Sequence, residues 1–296
     1  MPAATDLGAI LTAMVTPFDS SGALREDAIR RLARHLVEHG SDGLVVAGTT
    51  GEAPTLDDAE KLRLMEMVVD EVGDQATVVA GTGSNDTAHS VHLTAQAAER
   101  GVDAVLVVTP YYNKPNRRGL VEHFKAVAGA TDLPVLIYNI PARCVINLEP
   151  DLLAELGRID NVVGVKQANS DMEQAHRIVE DTGLALYAGD DNLLGPFAEI
   201  GGTGGVTVSS HLVGEQMKEL YEAARAGDVE RSRALDAELA DVYRTLFIAP
   251  APATVKAALE MLGFEASGVR LPLVEVDDSE RAEVQRLVES LRPVRA

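Results

Sequence analysis

Eight short runs of mostly branched apolar residues, each followed by an amphipathic stretch, limit what this chain can fold into more than any other feature. The runs are residues 9–15, 43–46, 77–80, 104–108, 134–138, 162–165, 184–187 and 205–208. None alternates apolar with polar residues, so each is expected to be a strand covered on both faces. Between the runs, apolar residues recur at helical spacing, as in Ile29, Leu32, Ala33 and Leu36, with charge on the opposite face. Gly40, Gly73, Gly101, Gly157 and Gly183 stand at the expected helix ends. Strand–helix units repeating at roughly 25–30 residues predict an α/β fold of the (β/α)₈, or TIM, barrel type. An open doubly wound sheet is the rival architecture, but it usually needs fewer units and no topological break is visible. After Gly227 the strand pattern fades, and residues 229–246, 253–262 and 279–291 read as helices. The expected organisation is a barrel over residues 1–226 and a C-terminal helical region, 227–296, packed on it.

Composition narrows the partners. The chain has 296 residues and 46% hydrophobic content, enough for a large core, and one barrel domain accommodates that length. Its net charge of −20, from 26 basic and 46 acidic residues, repels phosphate backbones and anionic lipid, so neither nucleic acid nor a membrane surface is an expected partner. Cys144 is the only cysteine, which excludes an intrachain disulfide and a cysteine zinc site and fits a cytoplasmic location. The N-terminal stretch to Val15 has no basic region and reads as a first strand, not a signal peptide. No apolar run approaches the ~20 residues that span a bilayer.

In a (β/α)₈ barrel the chemistry sits on the loops at the C-terminal ends of the strands. Gly48-Thr49-Thr50-Gly51-Glu52 follows the second run and offers two hydroxyls between glycines, suited to a small carboxylate or carbonyl; a plain turn into a helix capped by Thr55 or Asp57 explains it equally simply. Thr109-Pro110-Tyr111-Tyr112-Asn113-Lys114-Pro115 follows the fourth run, where packing at the surface is as good a reading of Tyr111 as catalysis. Tyr138 ends the fifth run, where a phenol can move protons, and Arg143 shortly after it offers a planar fork for a carboxylate or a surface ion pair. Gly189-Asp190-Asp191 follows the seventh run; Asp at the start of a helix over 193–200 reads as a cap before it reads as a metal ligand. The Gly-rich stretch 201–205 lacks the P-loop lysine and reads as a tight turn. The histidine pairs His35/His39 and His89/His92 lack zinc-motif partners and read as solvated helix faces.

Lys166 follows the sixth run at once. A lysine there is costly to bury charged, and desolvation lowers its pKa until the free amine is a nucleophile toward carbonyls. Snorkelling to the rim, or pairing with a carboxylate, is the competing explanation, and position alone does not separate the two.

Taken together, Gly48-Thr49-Thr50-Gly51-Glu52, Tyr111-Tyr112-Asn113-Lys114-Pro115, Tyr138-Asn139-Ile140-Pro141-Ala142-Arg143, Gly164-Val165-Lys166 and Gly189-Asp190-Asp191 resemble the dihydrodipicolinate synthase family in order and spacing, over nearly the whole chain. The superfamily also contains N-acetylneuraminate lyase and related keto-acid aldolases. The resemblance implies that Lys166 forms a Schiff base with pyruvate, that Tyr138 donates protons, and that Thr49 and Tyr112 relay them. The second tyrosine acts in the site of another subunit, which implies a homo-oligomer, usually a tetramer built of dimers. Thr50 and the backbone at Val206 match the pyruvate carboxylate site, and Arg143 matches the residue that holds aspartate 4-semialdehyde.

That family condenses the two substrates to 4-hydroxy-tetrahydrodipicolinate, in lysine and diaminopimelate biosynthesis, with no metal or cofactor beyond the covalent imine. Arg143 and Thr49 favour it over the sialic-acid lyases, which typically lack that Arg and carry Ser in the strand-two motif. Cys144 and Val206 depart from commoner residues at positions where the chemistry should not change. The family's lysine-inhibition site falls near Ala53, Pro54, Asp58, Lys61, Asn85, His89 and Tyr111; Asp58, Lys61 and His89 differ from the His, His and Glu of inhibitable members, which puts lysine sensitivity in doubt. The rivals are a sugar-acid aldolase sharing the Schiff base, a non-catalytic barrel that binds small carboxylates, and a phosphate-binding barrel, the last disfavoured by the lack of a basic loop after the seventh or eighth run.

Overall fold

The computed structural model describes residues 6–266 and 268–291. Eight parallel strands close into a barrel in sequence order: β1 (Ile10–Ala13), β2 (Gly43–Val46), β3 (Thr77–Gly81), β4 (Ala104–Val108), β5 (Val135–Asn139), β6 (Val162–Gln167), β7 (Ala185–Ala188) and β8 (Gly204–Thr207), with β1 pairing β8. The strands are short and buried on both faces because side chains fill the barrel on one side and helices cover the other; β1, β2, β5 and β8 are buried at every residue. No helix among the described residues is long and apolar enough to cross a membrane.

Two glycines let backbone pass where a side chain would collide. A Cβ on Gly204 would lie 2.1 Å from the Ala9 carbonyl oxygen, and one on Gly81 would lie 2.3 Å from that of Ala47. The second contact sits where β3 meets the turn that leaves β2.

Two expectations need correction. The sixth strand does not stop at Val165; its ladder runs on to Gln167, so Lys166 lies inside the sheet and not in the loop beyond. The helix expected over 193–200 is a 3₁₀ turn, Asp191–Leu193, followed by a six-residue helix, Leu194–Glu199. After β8 the chain forms the helix Ser210–Arg225, then Val229–Leu246, Ala253–Met261 and Asp278–Ser290. The second of these packs against Ser210–Arg225. The third buries Val255, Ala258 and Leu259, and also Lys256.

Candidate active site

Tyr138 and Lys166 are direct partners across the β5–β6 ladder. Both are 6% exposed and both face into the barrel, where they line one cavity. The Lys166 ammonium nitrogen, Nζ, lies 4.2 Å from the centre of the Tyr138 ring. The next residues along, Asn139 and Gln167, point the other way by strand alternation. There the Asn139 amide donates to Gln167 Oε1 at 2.9 Å and to Asn147 Oδ1 at 2.8 Å, while its oxygen accepts from the Leu148 backbone N–H at 3.1 Å. This fully buried bridge pins the register, because a slip of one residue would turn the phenol and the amine out of the barrel.

Burial dominates the electrostatics. Desolvation brings the pKa of Lys166 down to about 8; the carboxylates of Asp191 and Asp190 pull it upward, and the charge of Arg143 lowers it further. A substantial neutral fraction therefore exists near pH 8. Burial also raises the Tyr138 phenol well above the ordinary tyrosine value, against the opposing effects of Arg143 and the Thr49 hydroxyl, so it is held as a proton donor.

The turn after β2 brings Thr49 and Thr50 to the same cavity, about 370 Å³ in volume, together with Tyr111, Leu106 and Val108. The turn is held by Thr16 Oγ1 donating to the Gly51 carbonyl at 2.7 Å, and by Ala53 N–H donating to the Gly48 carbonyl at 3.1 Å. Asp57 caps the helix Asp58–Val72 in a reciprocal box with Glu60, as one reading of this segment expected.

Three of the predicted residues do not line the cavity. Arg143 is exposed on the four-residue helix Pro141–Cys144, close enough for its charge to act on Lys166 and Tyr138; it makes no ion pair among the described residues. Val206 is fully buried in β8 opposite Leu11. Tyr112 is 89% exposed in a left-handed backbone conformation (φ 72°) and is absent from the lining that holds Tyr138 and Thr49.

The cavity also reaches Asp58, Lys61 and His89. These satisfy one another: the His89 ring meets both Asp58 oxygens at 2.9 and 3.0 Å, and Lys61 Nζ lies 3.5 Å from the same carboxylate. His89 is thus not a solvated face residue. Nor is His35, which packs 4.1 Å from the His39 ring and 4.6 Å from that of Phe264, with its pKa lowered to about 4 chiefly by burial.

Sequence reasoning also misread Asp191. It is no helix cap; its carboxylate, 2% exposed, accepts from the backbone N–H groups of Val208 at 2.9 Å and Ser209 at 2.6 Å, tying the turn after β7 to the end of β8. His211 does similar work, accepting from Val15 N–H through Nε2 at 3.2 Å and donating from Nδ1 to the Val208 carbonyl at 2.8 Å. Among the described residues no group of three or more His, Cys, Asp or Glu side chains is placed to hold a metal ion.

Comparison with known proteins shows the family of the chain. The model of the dihydrodipicolinate synthetase family matches residues 6–291. The chain is 47% identical to 4-hydroxy-tetrahydrodipicolinate synthase 2 of Halalkalibacterium halodurans over 97% of its length and 99% of that protein's. It is 49% identical to the 4-hydroxy-tetrahydrodipicolinate synthase of Desulforudis audaxviator, over 96% and 97% respectively. A crystal structure of a dihydrodipicolinate synthase from Bacillus anthracis superposes with a TM-score of 0.94 at 42% identity, over 97% of this chain and 99% of that one. With its closed barrel and a family match over residues 6–291, the chain belongs to the dihydrodipicolinate synthetase family.

Proposed function

We propose that the chain is a 4-hydroxy-tetrahydrodipicolinate synthase, a lyase that condenses pyruvate with aspartate 4-semialdehyde through a Schiff base on Lys166. The observation that carries the assignment of Lys166 is its desolvated amine, lying 4.2 Å from the centre of the Tyr138 ring in the cavity that both residues line.

The neutral amine attacks the ketone carbon of pyruvate. The carbinolamine loses water, with Tyr138 supplying the proton, and leaves a protonated imine. That cation is the electron sink: it loses a proton from the pyruvate methyl group to give an enamine, so carbon–carbon bond formation calls on no further cofactor. The enamine carbon attacks the aldehyde carbon of aspartate 4-semialdehyde. The amino group of that substrate then displaces Lys166 by transimination and closes the ring. Thr50 and the backbone at Val206 hold the pyruvate carboxylate, Arg143 the carboxylate of the aldehyde substrate, and Thr49 the proton path to Tyr138.

Tyr112 completes that path in a second subunit. Its exposure and its place outside its own chain's cavity support this reading and a homo-oligomer, with a tetramer of dimers as the assembly. A cytoplasmic location fits the single, buried cysteine.

Borohydride reduction in the presence of pyruvate tests the chemistry. A pyruvate-derived mass on the peptide containing Lys166 is expected; an unmodified peptide from folded, pyruvate-saturated protein refutes the Schiff base.

A further inference from the structure

The turn that carries Thr49 and Thr50 ends in a buried charge held from the far end of the chain. Glu52, two residues beyond Thr50, adopts a left-handed backbone conformation (φ 58°) and its side chain is 1% exposed. Both carboxylate oxygens are used. Oε1 accepts from Lys256 Nζ at 2.6 Å, and Oε2 accepts from the Arg270 backbone N–H at 2.9 Å. The partners are 204 positions apart, and the Lys256 side chain is itself 2% exposed. Lys256 also donates to the Gly268 carbonyl at 2.6 Å and lies 4.3 Å from the centre of the Phe18 ring. One ammonium thus joins the segment after β1, the turn after β2 and the C-terminal region.

Stability alone is a weak reason for such a pair. Two charges removed from water give up much of their attraction to desolvation, and apolar residues of similar shape often serve a fold as well. What an ion pair with both carboxylate oxygens engaged does supply is a fixed position. Here the fixed residue adjoins Gly51, whose carbonyl is tied to Thr16, and lies next to the two hydroxyl residues that share a cavity with the amine.

We infer that Glu52 and Lys256 are positioning residues for the pyruvate half of the reaction: they set the Thr49-Thr50 turn against Lys166, and the C-terminal helices take part in catalysis through them. This rests on the proposed roles of Lys166 and Thr50.

The test uses the full chain with Lys256→Met, which keeps the bulk of the side chain and strands the carboxylate, and with Glu52→Gln, which keeps the shape and an acceptor for Arg270. Adduct formation at Lys166 is timed by borohydride quenching and mass spectrometry, beside steady-state kinetics and circular dichroism. Lys256→Met is expected to raise KM for pyruvate at least tenfold and to slow adduct formation in proportion, with KM for aspartate 4-semialdehyde within twofold of the parent. Glu52→Gln should show the same selectivity to a smaller extent.

Folded variants with parental pyruvate KM and adduct rate overturn the inference. So does a fall in kcat alone that follows the folded fraction, and so does failure of both variants to fold, which makes the pair a folding element only. The parent protein is the control for the underlying reading. If it forms no adduct, the Schiff base itself fails; if it does and the variants match it, only the positioning role is lost.

Discussion

Asn139 and Gln167 are hydrogen-bonded at 2.9 Å on the outer face of the barrel, each one residue past a member of the buried pair Tyr138 and Lys166. The bond acts as a clamp on the back of the site. Asn139→Ala orphans Gln167 Oε1 and the Leu148 N–H, at a cost of roughly 1–3 kcal/mol for each buried group. Chemical denaturation should register that loss, and trapped adduct should form more slowly in the molecules that remain folded. A variant as stable as the parent would show that the bridge is dispensable.

The pH profile of imine formation should rise through about 8, the value to which burial brings Lys166, and level off above it. The same shift bears on stability with a definite sign. The folded value lies below the ordinary 10.5, so the burial penalty is complete below pH 8 and fades as pH rises to 10.5. Lys166→Met should therefore abolish the adduct and stabilise the fold by up to ~3 kcal/mol at pH 7, with the gain gone above about pH 10.5. A melting temperature that falls at neutral pH would contradict the burial of a strained charge.

Arg143→Ala should separate the two halves of the reaction. Loss of a charge-assisted carboxylate contact of about 1.5–3 kcal/mol corresponds to a rise of roughly 10- to 150-fold in KM for aspartate 4-semialdehyde. Imine formation with pyruvate should persist, its profile displaced slightly to the alkaline side because the guanidinium no longer lowers the pKa of Lys166. Equal loss in both halves would mark Arg143 as structural.

Tyr112 can be tested by mixing defects. Tyr112→Phe and Lys166→Met should each be nearly inactive alone. Co-expressed, they should recover on the order of a quarter of the parental sites, since a mixed dimer holds one site with both groups intact. No recovery would confine Tyr112 to its own subunit.

Added L-lysine should leave the rate unchanged. An incoming ammonium would need a free carboxylate, yet Asp58 is already engaged by His89 and Lys61, and Lys61 repels it. Inhibition that disappears in Lys61→Ala would show that the ligand enters this end of the cavity regardless.

Much of this molecule is legible in its sequence, for identifiable reasons. β2 and β4 can be read to the residue because their apolar runs and their ladders end together. β6 cannot, since polarity sets in at Lys166 while backbone pairing continues through Gln167. The amine, the phenol and the threonine turn are recognisable as unusual residues at strand ends. Asp191 and Asn139 are not, because their partners are backbone groups and amides brought near only by barrel closure. The position of Arg143 outside the cavity is equally invisible to residue spacing, as is the 204-residue reach from Lys256 to Glu52.

Lys166 is stitched into the sheet, whereas Arg143 rides on a solvent-facing four-residue helix and reaches the amine only through its charge; on the proposed roles, the choice of aldehyde is built on a separate element from the nucleophile. A lineage or an engineer could rebuild that outer coil to admit a different acceptor, and the nucleophile beneath would keep its temper.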